Sequence, residues 1–187
     1  MFLNMSSANC LTPRQLDLLN TLRRLWIEHV LWTRMFIEST AFDLDNLDAV
    51  TKRLLRNPAD FADVLRPLYG NQVAARFEKL FTDHLLIAAD LVNAAKAGDN
   101  KKVEEARRQW YMNADEIAEF LGSINPYFNT KLWRNMLNEH LRMTENEAVQ
   151  ILTGKYPESI VQYDAIQKQA LDMADDMAYG IMRQFRI

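Results

Sequence analysis

Apolar residues recur every three or four positions along almost the whole chain, and five glycines and five prolines in 187 residues are too few to interrupt them often. That spacing puts one stripe of side chains on a single face of an α-helix, and a long stripe has to be buried against other helices. One stripe reads Leu18, Leu22, Leu25, His29, Trp32, Phe36, and a second reads Val73, Phe77, Leu80, His84, Ile87, Leu91, Ala94. A third is Val103, Ala106, Trp110, Ala114, Ile117, Leu121. The fourth is Trp133, Met136, His140, Met143, Glu147, Ile151, and the last is Ile160, Asp164, Gln167, Leu171, Ala174, Ala178, Ile181, Phe185. No period-two alternation bounded by hairpin turns occurs, so no sheet is predicted. The sequence predicts an all-α fold, an up-and-down antiparallel bundle, ferritin-like or similar.

Helix ends are marked by capping chemistry. Thr12-Pro13-Arg14-Gln15 is a capping box with proline at the first helical position, and its helix runs to about Thr40. Residues 41–70 read as a crossover holding two short helices, one from Leu44 to Arg56 and one from Asn57-Pro58 to Tyr69-Gly70. Asn71 opens a long helix that Gly98 closes, and Asp99 caps the next, which Gly122 ends. Asn125-Pro126 opens the helix of His140, and Tyr156-Pro157-Glu158 opens the last. That makes five long helices and two short ones, in a single domain over 12–187 after a loose tail over 1–11. No internal repeat and no low-complexity segment stands out.

Composition removes several classes of function. A net charge of −3 and the lack of a dense basic stripe argue against nucleic acid as a partner. No run of about 18 apolar residues suits a membrane span, and Met1 to Leu11 lacks the regions of a signal peptide. Cys10 is the only cysteine, so no intrachain disulfide can form. The expectation is a cytoplasmic protein without a membrane partner, with a homo-oligomer possible. No Gly-rich phosphate loop is present, so no nucleotide cofactor is expected.

The three histidines carry the functional reading. His29, His84 and His140 are the whole supply, each follows an acid (Glu28, Asp83, Glu139), and each sits in an apolar stripe. They fall near the middle of helices that are roughly 40 Å long at about 1.5 Å per residue. Midpoints of antiparallel helices share a level, so the three imidazoles are predicted to form one inward layer. An unpaired buried polar group costs roughly 1–3 kcal/mol, so the layer needs either an ion or a hydrogen-bond network. Asp164 and Glu147 are the carboxylates on core stripes, with Asp115 and Glu119 on a helix flank. Imidazole with carboxylate suits iron, manganese or zinc. The Glu-x-x-His motif of di-iron bundles is absent, because Trp26, Phe81 and Leu137 stand three residues before the histidines. Thr144-Glu145-Asn146-Glu147 also matches a capping box, which would make Glu147 a cap rather than a ligand. The acids before the histidines fall at the rim between helices, where ion pairs are the ordinary outcome.

His29-Val-Leu-Trp-Thr-Arg34, Leu54-Leu-Arg-Asn-Pro-Ala-Asp-Phe61, His84-Leu-Leu-Ile-Ala-Ala89, Asn113-Ala-Asp-Glu-Ile117 and His140-Leu-Arg-Met-Thr-Glu-Asn-Glu-Ala148 are distinctive stretches. On these, from Leu22 to Phe185, the chain resembles a family of small all-helical bacterial proteins of unknown function whose members are often labelled acetylglutamate kinase. Amino-acid kinases need an α/β sheet and Gly-rich phosphate loops, and neither pattern is in this sequence, which argues against that activity. The Glu28 to Trp32 stretch gives a weaker resemblance to ferritin-like bundles, at the level of fold alone. The leading expectation is a metal-binding helical bundle with ligands His29, His84, His140 and Asp164 or Glu147. The alternatives are a non-catalytic structural or interaction protein whose hydrogen-bonded polar layer fixes helix register, and a small-molecule pocket lined by Trp32, Trp133 and the histidines.

Overall fold

Five helices make up the described part of the chain: α1 (Pro13–Ala41), α2 (Leu47–Lys96), α3 (Asn100–Ile124), α4 (Thr130–Leu152) and α5 (Tyr156–Phe185). The computed structural model describes residues 10–187, and among these there is no strand. Most of the expected loose tail, residues 1–9, lies outside the described residues.

The N-terminus of α1 forms as its sequence dictates. Thr12 Oγ1 accepts from Gln15 N at 3.2 Å and Gln15 Oε1 accepts from Thr12 N at 2.8 Å, closing the capping box. Asp99 caps α3 through Lys102 N at 3.1 Å. For α4 the cap is Asn129, whose Oδ1 accepts from Leu132 N at 3.0 Å, rather than the expected Asn125. Asn125 is buried instead, with its Nδ2 donating to Tyr69 Oη at 2.9 Å. The two short helices expected over 41–70 are one: α2 runs unbroken from Leu47 through Pro58 and Pro67 to the break at Gly70. Asn57-Pro58 looks like a helix start, but its asparagine faces inward and its side chain bonds Leu25 O at 3.0 Å. Gly70 takes φ 83°, ψ 171°, a conformation that requires the missing Cβ.

Contacts fix the direction of every rod. Glu28 pairs with Arg53 and Leu25 O with Asn57, so 47–69 descends antiparallel to α1. Lys96 returns to Thr40 O, so 71–96 ascends beside α1. Asn113 meets Leu80 and Asn125 meets Tyr69, so α3 descends. Arg134 meets Asp115 and Arg107 meets Glu145, so α4 ascends. Gln15 meets Ile187, Arg23 meets Asp175 and Arg34 meets Ser159, so α5 descends against α1 and closes the ring. The bundle is therefore three consecutive helical hairpins, α1 with 47–69, 71–96 with α3, and α4 with α5. All three histidines ride on ascending rods.

Two apolar clusters fill the interior. The larger holds Trp26, Phe61, Phe77, Phe81, Trp133 and Met173 among others. The smaller, toward the far end, holds Phe36, Ile37, Val50, Leu54, Leu85, Val92, Ala148 and Ile151. Along α1 and α4 the buried polar residues Thr33, Thr144 and Glu147 fall between the two clusters, with His29 and His140 inside the edge of the larger one.

Candidate functional site

The expected histidine layer forms. His29, His84 and His140 are 2 %, 2 % and 3 % exposed, and the His29 ring centre lies 6.2 Å from that of His84 and 5.6 Å from that of His140. Each histidine has a carboxamide neighbour on a descending rod. His84 Nδ1 is 3.0 Å from Asn113 Oδ1, and His140 Nδ1 is 3.1 Å from Gln169 Oε1. The amide nitrogens are committed elsewhere: Asn113 Nδ2 donates to Leu80 O at 3.1 Å and Gln169 Nε2 donates to Met136 O at 2.6 Å. An amide oxygen can only accept, so the ring nitrogen facing it carries the hydrogen. His84 and His140 are thus fixed as Nδ1–H tautomers, and Nε2 is left with its lone pair.

The third unit has the same parts. Asn57 Nδ2 donates to Leu25 O at 3.0 Å, one helical turn before His29, as Leu80 and Met136 lie one turn before His84 and His140. Asn57 lies beside His29. The approach falls short of bonding geometry, however, and His29 Nδ1 and Asn57 Oδ1 are both left without a partner. Two brackets are closed and one is open.

All three rings are neutral at pH 7. Burial, and then the positive charge that a neighbouring histidine would carry, holds His84 down to about 3, against the pull of its Asn113 bond. Burial lowers His140 to about 4, opposed by Gln169. His29 is pushed well below its ordinary value by burial and by both other histidines.

The two sides of the layer differ. Toward the N-termini of the ascending rods it rests on Trp26, Phe81 and Leu137, then Leu22, Phe77 and Trp133, all buried. One turn the other way stand the smaller Thr33, Ala88 and Thr144, which border a narrow apolar cavity also lined by Ile37, Leu85 and Trp110. Thr33 Oγ1 donates to His29 O at 2.8 Å, while Thr144 Oγ1 has no partner. A tight crevice joins Thr33 and Thr144 to His140 and Glu147.

The carboxylate expectations need correction. Asp164 is exposed and does not join the layer. The buried seam of that half of α5 is Ser159, Ile166, Ala170 and Met173, not Ile160, Asp164 and Gln167. Glu147 is 1 % exposed and inside the continuous helix α4, so it is no cap. Its Oε1 is held by Arg34 Nη1 at 2.6 Å, and Arg34 also donates to Ser159 O at 3.2 Å and lies over the Tyr163 ring. Burial pushes the Glu147 carboxyl up to about 7 despite Arg34. Asp115 and Glu119 pair with Arg134 at the surface. The rim acids also make ion pairs: Glu28 with Arg24 and Arg53, Asp83 with Lys79, Glu139 with Arg142. Trp133 is buried beneath the layer, and Trp32 lies under the Arg53 guanidinium at 5.0 Å. As the side chains stand, no group of three or more His, Cys, Asp or Glu among the described residues is arranged to hold a metal ion.

Comparison with protein-family models, with curated proteins and with solved structures returned no match. No described helix is long and apolar enough to cross a membrane.

Proposed function

We propose that the protein binds one transition-metal ion through the imidazoles of His29, His84 and His140. The observation that carries this reading is the tautomer of His84 and His140. Nδ1–H donated to a fixed oxygen, with Nε2 left as a lone pair, is the state in which a protein prepares a histidine ligand. Imidazoles sharing one ion at about 2.1 Å place their ring centres roughly 5.5 Å apart, close to the spacing of His29 and His140. Ion binding would turn the unbonded His29 ring, while Asn113 and Gln169 hold His84 and His140. With Asp164 exposed and Glu147 held by Arg34, the donors are nitrogen alone. That set favours zinc or iron over manganese, which prefers oxygen. The fourth position of a three-histidine site points to the Thr33, Ala88 and Thr144 side, because the other is filled by Trp26 and Phe81.

Elemental analysis of protein purified without a histidine tag tests this. About one zinc or iron per chain is expected, lost in the His29→Ala/His84→Ala/His140→Ala variant. Metal far below stoichiometry, with no uptake of added zinc or iron(II) and no difference between the two proteins, overturns it. A second reading is favoured by the same closed brackets: the polar layer fixes helix register in a non-catalytic structural or interaction protein. It is the reading left standing by that negative result.

A further inference from the structure

The carboxamides reveal a repeat that the histidines alone hide. Set in register on them, the descending rods read Leu54-x-x-Asn57-Pro58-x-Asp60-Phe61-Ala62-Asp63-x-Leu65, then Trp110-x-x-Asn113-Ala114-x-Glu116-Ile117-Ala118-Glu119-x-Leu121, then Ile166-x-x-Gln169-Ala170-x-Asp172-Met173-Ala174-Asp175-x-Met177. Apolar, carboxamide, small, acid, apolar, alanine, acid and apolar positions coincide in all three. Every apolar, small and alanine position of the pattern is buried. The interval from 57 to 113 equals that from 113 to 169. Each closed bracket places its carboxamide 29 residues after its histidine, and the open one differs by a single residue.

The pattern is more than a packing seam. A helix needs apolar and small residues at the seam, but nothing in packing demands a carboxamide at the same place three times. In the core an amide is costly unless both of its ends are bonded. Here each amide nitrogen is anchored on the carbonyl one turn before a histidine, and the amide oxygens of Asn113 and Gln169 face the rings of His84 and His140. The anchor sets the orientation of the amide, and in the two closed brackets the amide sets which ring nitrogen holds the hydrogen.

We infer that the chain is one helical hairpin repeated three times, and that Asn57, Asn113 and Gln169 are the equivalent amides of a pseudo-threefold three-histidine site, Asn113 and Gln169 holding His84 and His140 with Nε2 presented to the bound ion and Asn57 standing beside His29 without a bond to it. The role in ion binding rests on the metal reading above; the role in setting the tautomer does not. No single hairpin holds a complete site, since each supplies one donor atom and one amide.

The half-buried Gln169 is the place to test it, because its bracket is closed and its side chain is less buried than that of Asn113. Nitrogen-15 NMR of the full chain reads the tautomer of His140 directly. Wild type is expected to show His140 as Nδ1–H, Gln169→Leu to shift it to the Nε2–H form that free histidine prefers, and Gln169→Glu, which keeps the accepting oxygen, to retain Nδ1–H. In zinc titrations Gln169→Leu is expected to weaken affinity 10–100-fold, as loss of such a partner does elsewhere, with Gln169→Glu close to wild type. An Nε2–H tautomer in wild type, or an unchanged tautomer in Gln169→Leu, overturns the inference. Wild-type protein that takes up no zinc yet shows the tautomer switch sinks the metal reading and leaves the amides as orienting residues of the layer.

Discussion

His29 Nδ1 and Asn57 Oδ1 are both buried and make no hydrogen bond, although the equivalent atoms of the other two units bond to each other. The energetic weight of the three amides therefore differs. Asn113→Leu removes two formed bonds and strands the Nδ1–H of His84 in the core, a loss of about 2–4 kcal/mol. Asn57→Leu removes one bond to Leu25 O and also an orphaned oxygen, a loss of about 1 kcal/mol. Urea unfolding of the two variants checks the order, and equal losses contradict the open bracket.

Stability is expected to collapse in mild acid. The folded pKa values of the histidines lie below the ordinary 6.5, at about 3 for His84 and about 4 for His140. Their contribution is complete above pH 6.5 and is lost as pH falls toward those values, because the unfolded chain takes up protons that the folded one refuses. Glu147 acts in the opposite sense. With its folded pKa raised to about 7, the folded chain holds a proton between about 4.5 and 7 that the unfolded one has released. Net uptake on unfolding near pH 5.5 is about two protons, a slope of roughly 2.7 kcal/mol per pH unit. Glu147→Gln is expected to steepen it to about three protons, measured by urea melts from pH 5 to 7.

Arg34 and Glu147 tie α1 to α4 inside the bundle. Removing the cation alone in Arg34→Met leaves a buried carboxyl that takes up a proton in place of its counter-charge, and the lost hydrogen bonds are expected to cost about 1–3 kcal/mol. Adding Glu147→Gln is expected to restore part of that, so the double variant is more stable than Arg34→Met. Thermal melts of the three proteins decide it, and simple additivity would show that the pair is not coupled.

Gly70 meets nothing within 4 Å where a Cβ would stand, so its φ of 83° is the whole obstacle to a side chain. Gly70→Ala is expected to cost about 1–3 kcal/mol through backbone strain alone. A crystal structure of the variant would show the 47–69 and 71–96 arms rotated against each other.

Gly180 presents the reverse case. Glycine inside a helix ordinarily loses to alanine by about 1 kcal/mol, yet a Cβ here would overlap Phe128 Cε1. Gly180→Ala is expected to destabilise by about 1–3 kcal/mol, and Phe128→Leu in the same chain to recover stability relative to Gly180→Ala alone. Urea midpoints of the single and double variants measure both effects.

Hydrophobic spacing located α1, α3, α4, α5 and the 71–96 arm of α2 and turned His29, His84 and His140 inward, because a strong stripe leaves a polar residue on it only one direction to face. It failed where the stripe is weak. On α5, Ile160 and Val161 are exposed while Ser159, Ala170 and Ala174 are buried. Small side chains give a seam little hydrophobic contrast, so the reading slid onto Asp164. The Asn57-Pro58 pair carries the signature of a helix start, and only the bundle shows it mid-helix. The amides escaped because a carboxamide has no charge and no spacing rule of its own. The recurring Ala62, Ala118 and Ala174, each flanked one residue later by an acid, was the signal that could have found them.

The tryptophans beside the layer give the molecule a built-in indicator. Trp26 lies 5.7 Å from His29 and Trp110 lies 5.4 Å from His84, ring centre to ring centre. Positive charge arriving at either imidazole changes the field across an indole, and indole emission follows that field. Proton uptake, ion capture and loosening of a single hairpin would thus each be visible in the colour and intensity of the protein's own fluorescence, with no added probe.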